Sequence, residues 1–247
     1  MLGDYRLVCP KNYNLYEVYE VYILDVYRAS DLLNEGDLVI DLGAGIGDFS
    51  VLASKKVGRE GLVISIEPDI ESYKILQSNI QRNRCQNIIP MNIGVGSEPG
   101  EKEITFWGRK YRFNVSTLEN IIDELHIHRK INFIKMDIEG FEVEVVNKSL
   151  KTIKEANVIS VESHGTKEKL DRVLLPSGFS FEPVTMNYIY KKLINHLFFH
   201  PSNFYKALKY TLSDKPHMLR TMFTGLDIAK SQETVIGSYI KYRQLSH

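Results

Sequence analysis

Apolar residues along this chain follow two alternating patterns: short continuous runs, and runs in which they recur every three or four positions. Continuous runs such as residues 38–40 and 62–66 are typical of strands that are buried on both faces of a sheet. Helical spacing follows these runs, and the connections between them are short. Repeated strand–helix units of this kind predict an α/β fold with a doubly wound, mostly parallel sheet.

The pattern predicts a seven-stranded sheet whose last two strands form an antiparallel hairpin, because no helix separates them. These strands are predicted at 38–40, 62–66, 88–93, 131–136, 158–161, 178–181 and 188–190. Residues 103–107 are predicted to form an edge strand or a hairpin arm. Helices are predicted at 49–57, 70–80, 118–125, 141–148 and 167–175, the third opened by a capping box from Ser116 to Glu119.

The chain divides into three parts on this interpretation. Residues 1–36 form an N-terminal helical lead-in, residues 37–192 form the α/β domain, and residues 193–247 form a basic helical C-terminal appendage. The lead-in has one aromatic and apolar stripe, which favours packing on the core over a wall that faces a substrate. The stripe consists of Tyr16, Tyr19, Ile23, Val26 and Tyr27.

Composition is ordinary for a globular protein, with 43% hydrophobic and 25% charged residues. Cys9 and Cys85 are too few for a disulfide framework or a cysteine-only metal site, so both are expected to be reduced thiols. The first residues show no signal-peptide pattern, and no uncharged run approaches the ~18–20 residues that span a bilayer. A cytoplasmic protein without a transmembrane segment is therefore expected, whereas nothing indicates its oligomeric state.

Charge is distributed unevenly, although the net charge of the whole chain is zero. Residues 191–247 contain nine basic and three acidic side chains, a net charge of +6, so the rest of the chain carries −6. A basic tail on an acidic body is compatible with an anionic partner such as nucleic acid, a lipid surface or an anionic glycan. A solvated helical face is the favoured interpretation.

A glycine loop follows the first predicted strand, at the position where open α/β sheets bind ligands. Gly43, Gly45 and Gly47 give the spacing GxGxG, which differs from the GxGxxG of dinucleotide folds. Asp41 stands before the loop, where it would repel a pyrophosphate but suits a ligand with an ammonium or sulfonium group. Glu67 ends the second strand, where a carboxylate accepts hydrogen bonds from ribose hydroxyls. These features favour a cationic amino acid joined to adenosine.

The segment from residue 39 to about residue 164 resembles the FkbM family of class I methyltransferases, which use S-adenosylmethionine. The glycine loop is shared by the whole superfamily, whereas the Lys-x-Asp-x-Glu-Gly-x-Glu run is specific to this family. Residues 1–30 and those after about 192 are not covered by the resemblance. The residues that carry it are 41–47, 66–68, 92–97, Gly100, 117–118 and 135–142.

The resemblance implies a role for each matched residue in binding S-adenosylmethionine. Asp41 and the backbone of the glycine loop are expected to hold the methionine part, and Glu67 the ribose. Asn92 and Ile93 are expected to contact adenine, and Asp137 to line the charged end of the cofactor. The full expected set is Asp41, Gly43, Ala44, Gly45, Gly47, Glu67, Pro68, Asn92, Ile93 and Asp137.

Four polar residues at the ends of the fourth and fifth buried strands are candidates for the chemistry: Asp137, Glu139, Glu162 and His164. His164 is favoured as a general base oriented by a carboxylate, since an ordinary imidazole pKa of ~6.5 suits proton pickup near neutrality. The expected catalytic residues are His164, Glu139 and Asp137. A divalent metal held by these side chains, with Asp137, Glu162 and His164 as its core, is the less favoured alternative. Glu139 is equally well interpreted as a helix N-terminal acid.

These features favour an O-methyltransferase that acts on a hydroxyl of a sugar or another small polar metabolite, with a small molecule or glycan as acceptor. An RNA methyltransferase that uses the basic tail is the second hypothesis. No Asn/Asp-Pro-Pro-Tyr/Phe motif follows the fourth strand, which speaks against amino methylation of bases. A nicotinamide-dependent oxidoreductase and a non-catalytic protein that binds the cofactor are less favoured.

Overall fold

The computed structural model describes residues 5–11, 15–106, 109–199 and 234–241. Helices and strands alternate through the middle of the chain as the apolar pattern predicts. The strands are β1 (Leu38–Leu42), β2 (Leu62–Ile66), β3 (Ile88–Met91), β4 (Gly94–Val95), β5 (Gly100–Phe106), β6 (Arg109–Ser116), β7 (Phe133–Met136), β8 (Val158–His164), β9 (Ser180–Pro183) and β10 (Thr234–Ile240).

The helices lie in the lead-in, between the parallel strands and after β9. A π-helical turn, Glu20–Leu24, continues the first helix, and a 3₁₀ turn, Leu175–Ser177, follows the eighth. The helices are α1 (Leu15–Tyr19), α2 (Ala29–Leu32), α3 (Asp48–Val57), α4 (Ile70–Arg82), α5 (Leu118–Glu124), α6 (Glu142–Lys148), α7 (Leu150–Ile153), α8 (Lys167–Leu174) and α9 (Met186–Phe199).

The main sheet has seven strands in the order β3-β2-β1-β7-β8-β10-β9. The first five of these are parallel, whereas β10 is antiparallel to both β8 and β9. The doubly wound, mostly parallel seven-stranded α/β fold with antiparallel last strands is thereby confirmed. A second sheet, β4-β6-β5, contains the hairpin arm predicted near residue 103 and stands beside the carboxyl ends of β2 and β7.

Alternate residues of the central strands contribute to two apolar clusters, as expected when helices cover both faces of a sheet. Val39 and Phe133 belong to the first cluster, which also contains the lead-in and α3. Ile40 and Ile134 belong to the second, which contains α5, α6 and α8. The lead-in therefore packs on the core, in agreement with the favoured interpretation of its aromatic stripe.

The predicted closing hairpin is wrong in one of its strands. Residues 188–190 lie in α9, where Ile189 is buried and Tyr188 N–H donates to Thr185 Oγ1 at 3.3 Å. A helical repeat that places Ile189 and Leu193 on the core outweighs the short aromatic run. The missing strand is β10, which lies inside the predicted helical appendage and separates β8 from β9. Residues 200–233 and 242–247 lie outside the described residues.

Gly237 explains why β10 does not show a strand pattern in the sequence. A Cβ there would lie 2.3 Å from Phe181 of β9, so close approach of the two strands requires glycine. Ser238 beside it is fully buried and so is Tyr239, which gives an irregular alternation of polarity. The capping box also differs, since Thr117 rather than Ser116 caps α5 and accepts the Asn120 N–H at 3.2 Å.

No helix within the described ranges has the length and apolar character required to cross a membrane.

Candidate functional site

The glycine loop lies between the ends of β1, β2 and β7. Gly43, Gly45 and Gly47 have φ angles of 78°, 52° and 85°, in the left-handed region that glycine adopts without strain. A Cβ on Gly43 would lie 1.9 Å from the carbonyl oxygen of Asp137, so this glycine is required by packing. The N–H groups of Gly43 and Ala44 both donate to the carbonyl of Ile66 at 3.0 Å, which ties the loop to the end of β2.

Glu67 lies beside this loop with both carboxylate oxygens held by backbone donors. Its Oε2 accepts the Gly45 N–H and its Oε1 accepts the Asp69 N–H, each at 2.8 Å. The residue is buried, and burial raises the pKa of Glu67 to about 7 although both backbone hydrogen bonds oppose the shift. The carboxyl is thus fixed in position, with lone pairs left over for a ligand.

A cavity of about 440 Å³ opens between the loop, the second sheet and the end of β7. Glu67 and Gly43 lie at its β1–β2 side. Apolar side chains of the second sheet form another wall, and carboxylates from the segment after β7 complete it. The lining residues include Gly43, Glu67, Pro68, Val95, Phe113, Val115, Asp137 and Glu139.

Asn92 and Ile93 do not line the cavity in the structure. Asn92 is exposed, and its amide donates to the carbonyls of Glu67 at 2.9 Å and of Pro68 at 3.0 Å, so it holds the turn after β2. Ile93 packs against the second apolar cluster. Val95 of β4 lines the cavity instead, and so does Pro68.

Asp41 is fully buried and is paired with Lys135 of β7. Lys135 Nζ lies 3.5 Å from Asp41 Oδ1 and 3.6 Å from Asp137 Oδ2, and it donates to the carbonyl of Gly43 at 2.6 Å. Ser50 donates to Asp41 Oδ2 at 2.5 Å, whereas Oδ1 has no hydrogen-bond partner among the described residues. Asp41 therefore lies behind the loop rather than on the cavity wall.

Burial raises the pKa of Asp41, with Lys135 and Ser50 opposing that shift. Burial also tends to lower the pKa of Lys135, but the carboxylates of Asp41 and Asp137 outweigh it and the pKa stays above its ordinary value. Lys135 is therefore charged at neutral pH. Its only signal in the sequence is one lysine in an otherwise apolar strand, within the family motif.

Tyr27 joins the lead-in to the ends of β7 and β8. Its hydroxyl lies 3.0 Å from Asp137 Oδ2 and 3.3 Å from Glu162 Oε2, and its ring packs edge-on against Phe49 in the core. Burial raises the pKa of Tyr27, followed by the effect of Asp137, so its hydroxyl stays protonated and donates to these carboxylates. Tyr27 is a site residue that the sequence pattern assigns only to the aromatic stripe.

His164 lies at the end of β8 among carboxylates, and we call Asp137, Glu139, Glu162 and His164 the strand-end cluster. The Nε2 atom of His164 is 3.9 Å from Asp137 Oδ1, 3.7 Å from Glu139 Oε2 and 3.8 Å from Glu162 Oε1. The structure thus brings together the four side chains that strand order predicts to be neighbours. Glu162 carries a pKa raised to about 7 by burial and then by Asp137.

Glu142 holds the other side of the His164 ring. Its Oε1 lies 3.2 Å from Nδ1 of His164 and accepts the Gly140 N–H at 2.9 Å, and its Oε2 accepts the Thr166 hydroxyl at 2.9 Å. The hydrogen bond to Glu142 raises the pKa of His164 to about 9, against the effect of burial and with further help from the nearby carboxylates. The pKa of His164 therefore lies above the ordinary imidazole value on which the general-base prediction rests.

Glu139 is not a helix N-terminal acid, because α6 begins at Glu142 and the acids of its first turn are Glu142 and Glu144. Glu139 has a left-handed φ of 52° and is followed by Gly140 at 95°. Its side chain is 57% exposed, and burial raises its pKa while His164 opposes that effect. Glu139 thus lines the cavity and faces His164.

Two features define this protein as a class I S-adenosylmethionine-dependent methyltransferase. The sheet has an antiparallel strand inserted before its edge strand, and the glycine loop faces an acid at the end of β2. The model of the methyltransferase FkbM domain matches residues 41–198. This match covers more than half of the chain, which belongs to the FkbM methyltransferase family.

Similar proteins act on several kinds of acceptor, according to their names. Ribosomal RNA large subunit methyltransferase E of Methanothermobacter thermautotrophicus is 26% identical over 160 residues, which cover 60% of this chain and 75% of that protein. Hexuronic acid methyltransferase AglP of Haloferax volcanii is 27% identical over 168 residues, 62% of this chain and 67% of that protein. A solved precorrin-6y C5,15-methyltransferase from Geobacter metallireducens GS-15 has a TM-score of 0.49 and 14% identity, over 72% of this chain and 80% of its own.

S-adenosylmethionine is the cofactor that this family implies, and the residues of the site fit it. Glu67 offers a fixed carboxylate to a pair of hydroxyls, and a Cβ on Gly45 would point into open space, which leaves room for a ligand against the loop. Apolar walls at Val95 and Val115 suit a nucleobase, and carboxylates at the other end suit cationic groups. When bound, this cofactor supplies an electrophilic methyl group on a sulfonium.

Proposed function

We propose that this protein transfers a methyl group from S-adenosylmethionine to a hydroxyl of a sugar or another small polyhydroxyl compound. The observation that supports this most is a single cavity that extends from Gly43 of the glycine loop and Glu67 to Asp137 and Glu139 of the strand-end cluster. A cofactor site and a set of polar groups for an acceptor thus share a single space. Methyl transfer requires mainly that the two reactants be aligned there.

In this proposal the cofactor lies along the glycine loop, with Glu67 on its ribose and Asp137 near its charged end. Pro68 and Val95 flank the adenine, which replaces the roles predicted for Asn92 and Ile93. Asp41 acts on the cofactor through Lys135, since its own side chain is fully buried. Lys135 in turn holds the carbonyl of Gly43 and the carboxylate of Asp137 in place.

The charge around the cavity favours a neutral polyhydroxyl acceptor over RNA. Asp137 and Glu139 line one end of the cavity, with Glu162 beside them at His164, and this concentration of negative charge repels a phosphate backbone. The name of AglP gives a sugar acid as an acceptor for one relative, while that of the ribosomal RNA enzyme supports the second hypothesis. The basic tail that would bind RNA lies largely outside the described residues.

A methyl-transfer assay with isotope-labelled S-adenosylmethionine tests the proposed function. Two acceptor panels are compared, one of free and nucleotide-linked sugars and one of ribosomal and transfer RNA. We expect label in a sugar fraction as an alkali-stable ether, which excludes a methyl ester. Label in RNA alone would overturn the choice of acceptor. If the protein binds the cofactor but labels neither panel, the proposed methyl transfer would be overturned in favour of a non-catalytic binding protein.

Glu67→Gln is expected to weaken S-adenosylmethionine binding ~10- to 100-fold, because it removes charge-assisted hydrogen bonds to the ribose. The affinity of the unchanged protein should rise between about pH 6 and pH 8, since the pKa of Glu67 is about 7 and its ionised form is the better acceptor. The variant should lose that rise. Calorimetric titrations at several pH values measure both effects.

Glu71→Gln provides the matched control for this prediction. Glu71 lies in the first turn of α4, its side chain is 74% exposed, and its partner is Lys74 at 2.7 Å. The affinity of this variant should stay within about twofold of the unchanged protein. Equal affinities of the two variants, or an unchanged pH profile in Glu67→Gln, would contradict the placement of the ribose.

A further inference from the structure

We propose that the strand-end cluster binds a divalent metal ion, with Asp137 Oδ1, Glu139 Oε2 and His164 Nε2 as its ligands. These atoms come from two adjacent strand ends and all lie within 4.8 Å of one another. The carboxylate oxygens are 3.9 Å and 3.7 Å from Nε2, which is too far for a hydrogen bond. Two ligands that share one ion at ~2.0–2.3 Å have such a separation when the angle between them is wide.

The neighbours of the ligands form the supporting shell that a metal-bound histidine requires. Metal-bound histidines usually donate their other ring N–H to a carboxylate, which leaves the facing nitrogen with its lone pair for the ion. Glu142 is fully buried and occupies that position on Nδ1, held by Gly140 and Thr166. Tyr27 orients Asp137 in the same way through a hydrogen bond of 3.0 Å.

The balance of charge also favours a cation at this position. Asp137, Glu139, Glu142 and Glu162 all face the single imidazole of His164. Lys135 lies 3.6 Å from Asp137 but also neutralises Asp41. A divalent ion among these four carboxylates would offset the remaining negative charge and satisfy the lone pairs that face Nε2.

The proposed ion is accessible from the cavity rather than enclosed by protein. Glu162 Oε1 is 3.8 Å from Nε2, close enough to complete a fourth position, and its Oε2 is held by Tyr27. Asp137 and Glu139 line the cavity, so the remaining positions of the ion face the proposed acceptor. Carboxylates with one imidazole suit Mn²⁺ or Mg²⁺, and Zn²⁺ less well.

The role of the ion rests on the proposed function, whereas its binding does not. An acceptor hydroxyl bound to a divalent ion has a lower pKa, which favours the oxygen nucleophile that methyl transfer needs. His164 then acts as a ligand that positions the ion, in place of the general base predicted from the sequence. When the hydroxyl oxygen takes the methyl group, the C–S bond of the sulfonium breaks to leave the neutral thioether of the demethylated product, and the hydroxyl proton passes to water in the cavity. A pair of neighbouring sugar hydroxyls fits two adjacent positions of such an ion.

Metal binding is tested on the EDTA-treated full chain with Mn²⁺ alone, followed by calorimetry and by pulsed electron paramagnetic resonance. We expect one ion per chain and a nitrogen coupling from the imidazole of His164. His164→Ala should abolish that coupling, and Asp137→Asn and Glu139→Gln should each weaken Mn²⁺ binding at least ~10-fold. His128→Ala, at an exposed histidine outside the cluster, should change neither signal.

Far-ultraviolet circular dichroism shows whether each variant is folded. Glu139→Gln should fold normally because this side chain is more than half exposed, so its effect on Mn²⁺ binding reports the site itself. Absence of Mn²⁺ and Mg²⁺ binding below about 1 mM, or a nitrogen coupling that persists in His164→Ala, would overturn the metal site. A parallel titration with S-adenosylmethionine keeps the two proposals separate. Cofactor binding without metal binding would refute this inference alone, and failure of the cofactor to bind would refute the proposed function.

Discussion

Replacement of Lys135 by methionine is expected to destabilise the fold by about 3–5 kcal/mol, because it leaves a buried carboxylate without its positively charged partner. Asp41 is fully buried, and one of its oxygens has Lys135 as its only charged partner among the described residues. Methionine matches the length of lysine but supplies no charge. The same change frees the Gly43 carbonyl and Asp137, so the glycine loop should lose its position as well.

Urea unfolding of Lys135→Met, Asp41→Asn and the double variant measures this effect as a cycle. The double variant should be more stable than Lys135→Met, because it no longer contains the unpaired carboxylate of Asp41. Lys74→Met is the control, since Lys74 is 60% exposed in its pair with Glu71 and should cost less than about 1 kcal/mol. Additive effects, or a loss below about 1 kcal/mol in Lys135→Met, would show that the pair does not support the fold.

Gly43→Ala is expected to cost at least about 3 kcal/mol, the sum of backbone strain and a clash with backbone. Its φ of 78° is unfavourable for alanine, and the new Cβ would lie 1.9 Å from the carbonyl oxygen of Asp137. The strand ends at β1 and β7 would have to separate, so the variant should also lose affinity for S-adenosylmethionine. Urea unfolding and calorimetry measure the two losses.

Gly36→Ala separates strain from clash in this comparison. Gly36 has a similar φ of 83°, but a Cβ there meets nothing within 4 Å. Gly36→Ala should therefore lower the free energy of unfolding by only about 1–2 kcal/mol and leave cofactor affinity unchanged. If both variants lose the same stability and bind the cofactor equally, then the close approach of the loop to Asp137 is not required.

The parallel core of the fold could be predicted from the sequence because strands buried on both faces are continuous apolar runs. Residues 38–40 and 62–66 show this pattern, and both lie in strands. The antiparallel edge could not be predicted in the same way. Gly237 leaves room for Phe181 of the neighbouring strand, and the buried Ser238 donates a hydrogen bond to Ser160 of β8 at 3.2 Å, so β10 lacks the usual alternation.

In the candidate site, residues that directly follow a strand could also be predicted from the sequence, whereas contacts between distant segments could not. Asp137, Glu139, Glu162 and His164 follow strands, and strand order alone brings them together. Asn92 shows what the family pattern leaves open: the pattern implies adenine contact there, and the structure gives its amide to the carbonyls of the β2–α4 turn.

Contacts between residues of distant segments leave no such pattern in the sequence. Tyr27 reaches Asp137 across 110 positions of the chain, and Lys135 reaches Gly43 across 92. A pairing of this kind depends on how the lead-in and the loop pack against the sheet, which residue spacing does not record. The electrostatic surroundings of His164 follow from the same packing, because Glu142 reaches it from the first turn of α6.

Calorimetric titration of the unchanged protein with S-adenosylmethionine, its demethylated product and NADH tests the central claim most directly. We predict one site per chain with a dissociation constant of ~1–100 μM for the first two ligands, within the usual range for enzyme substrates. NADH should give no measurable heat of binding, because the GxGxG spacing differs from the GxGxxG that binds a pyrophosphate in dinucleotide folds. Tight binding of NADH, or no binding of either adenosyl ligand, would contradict the account.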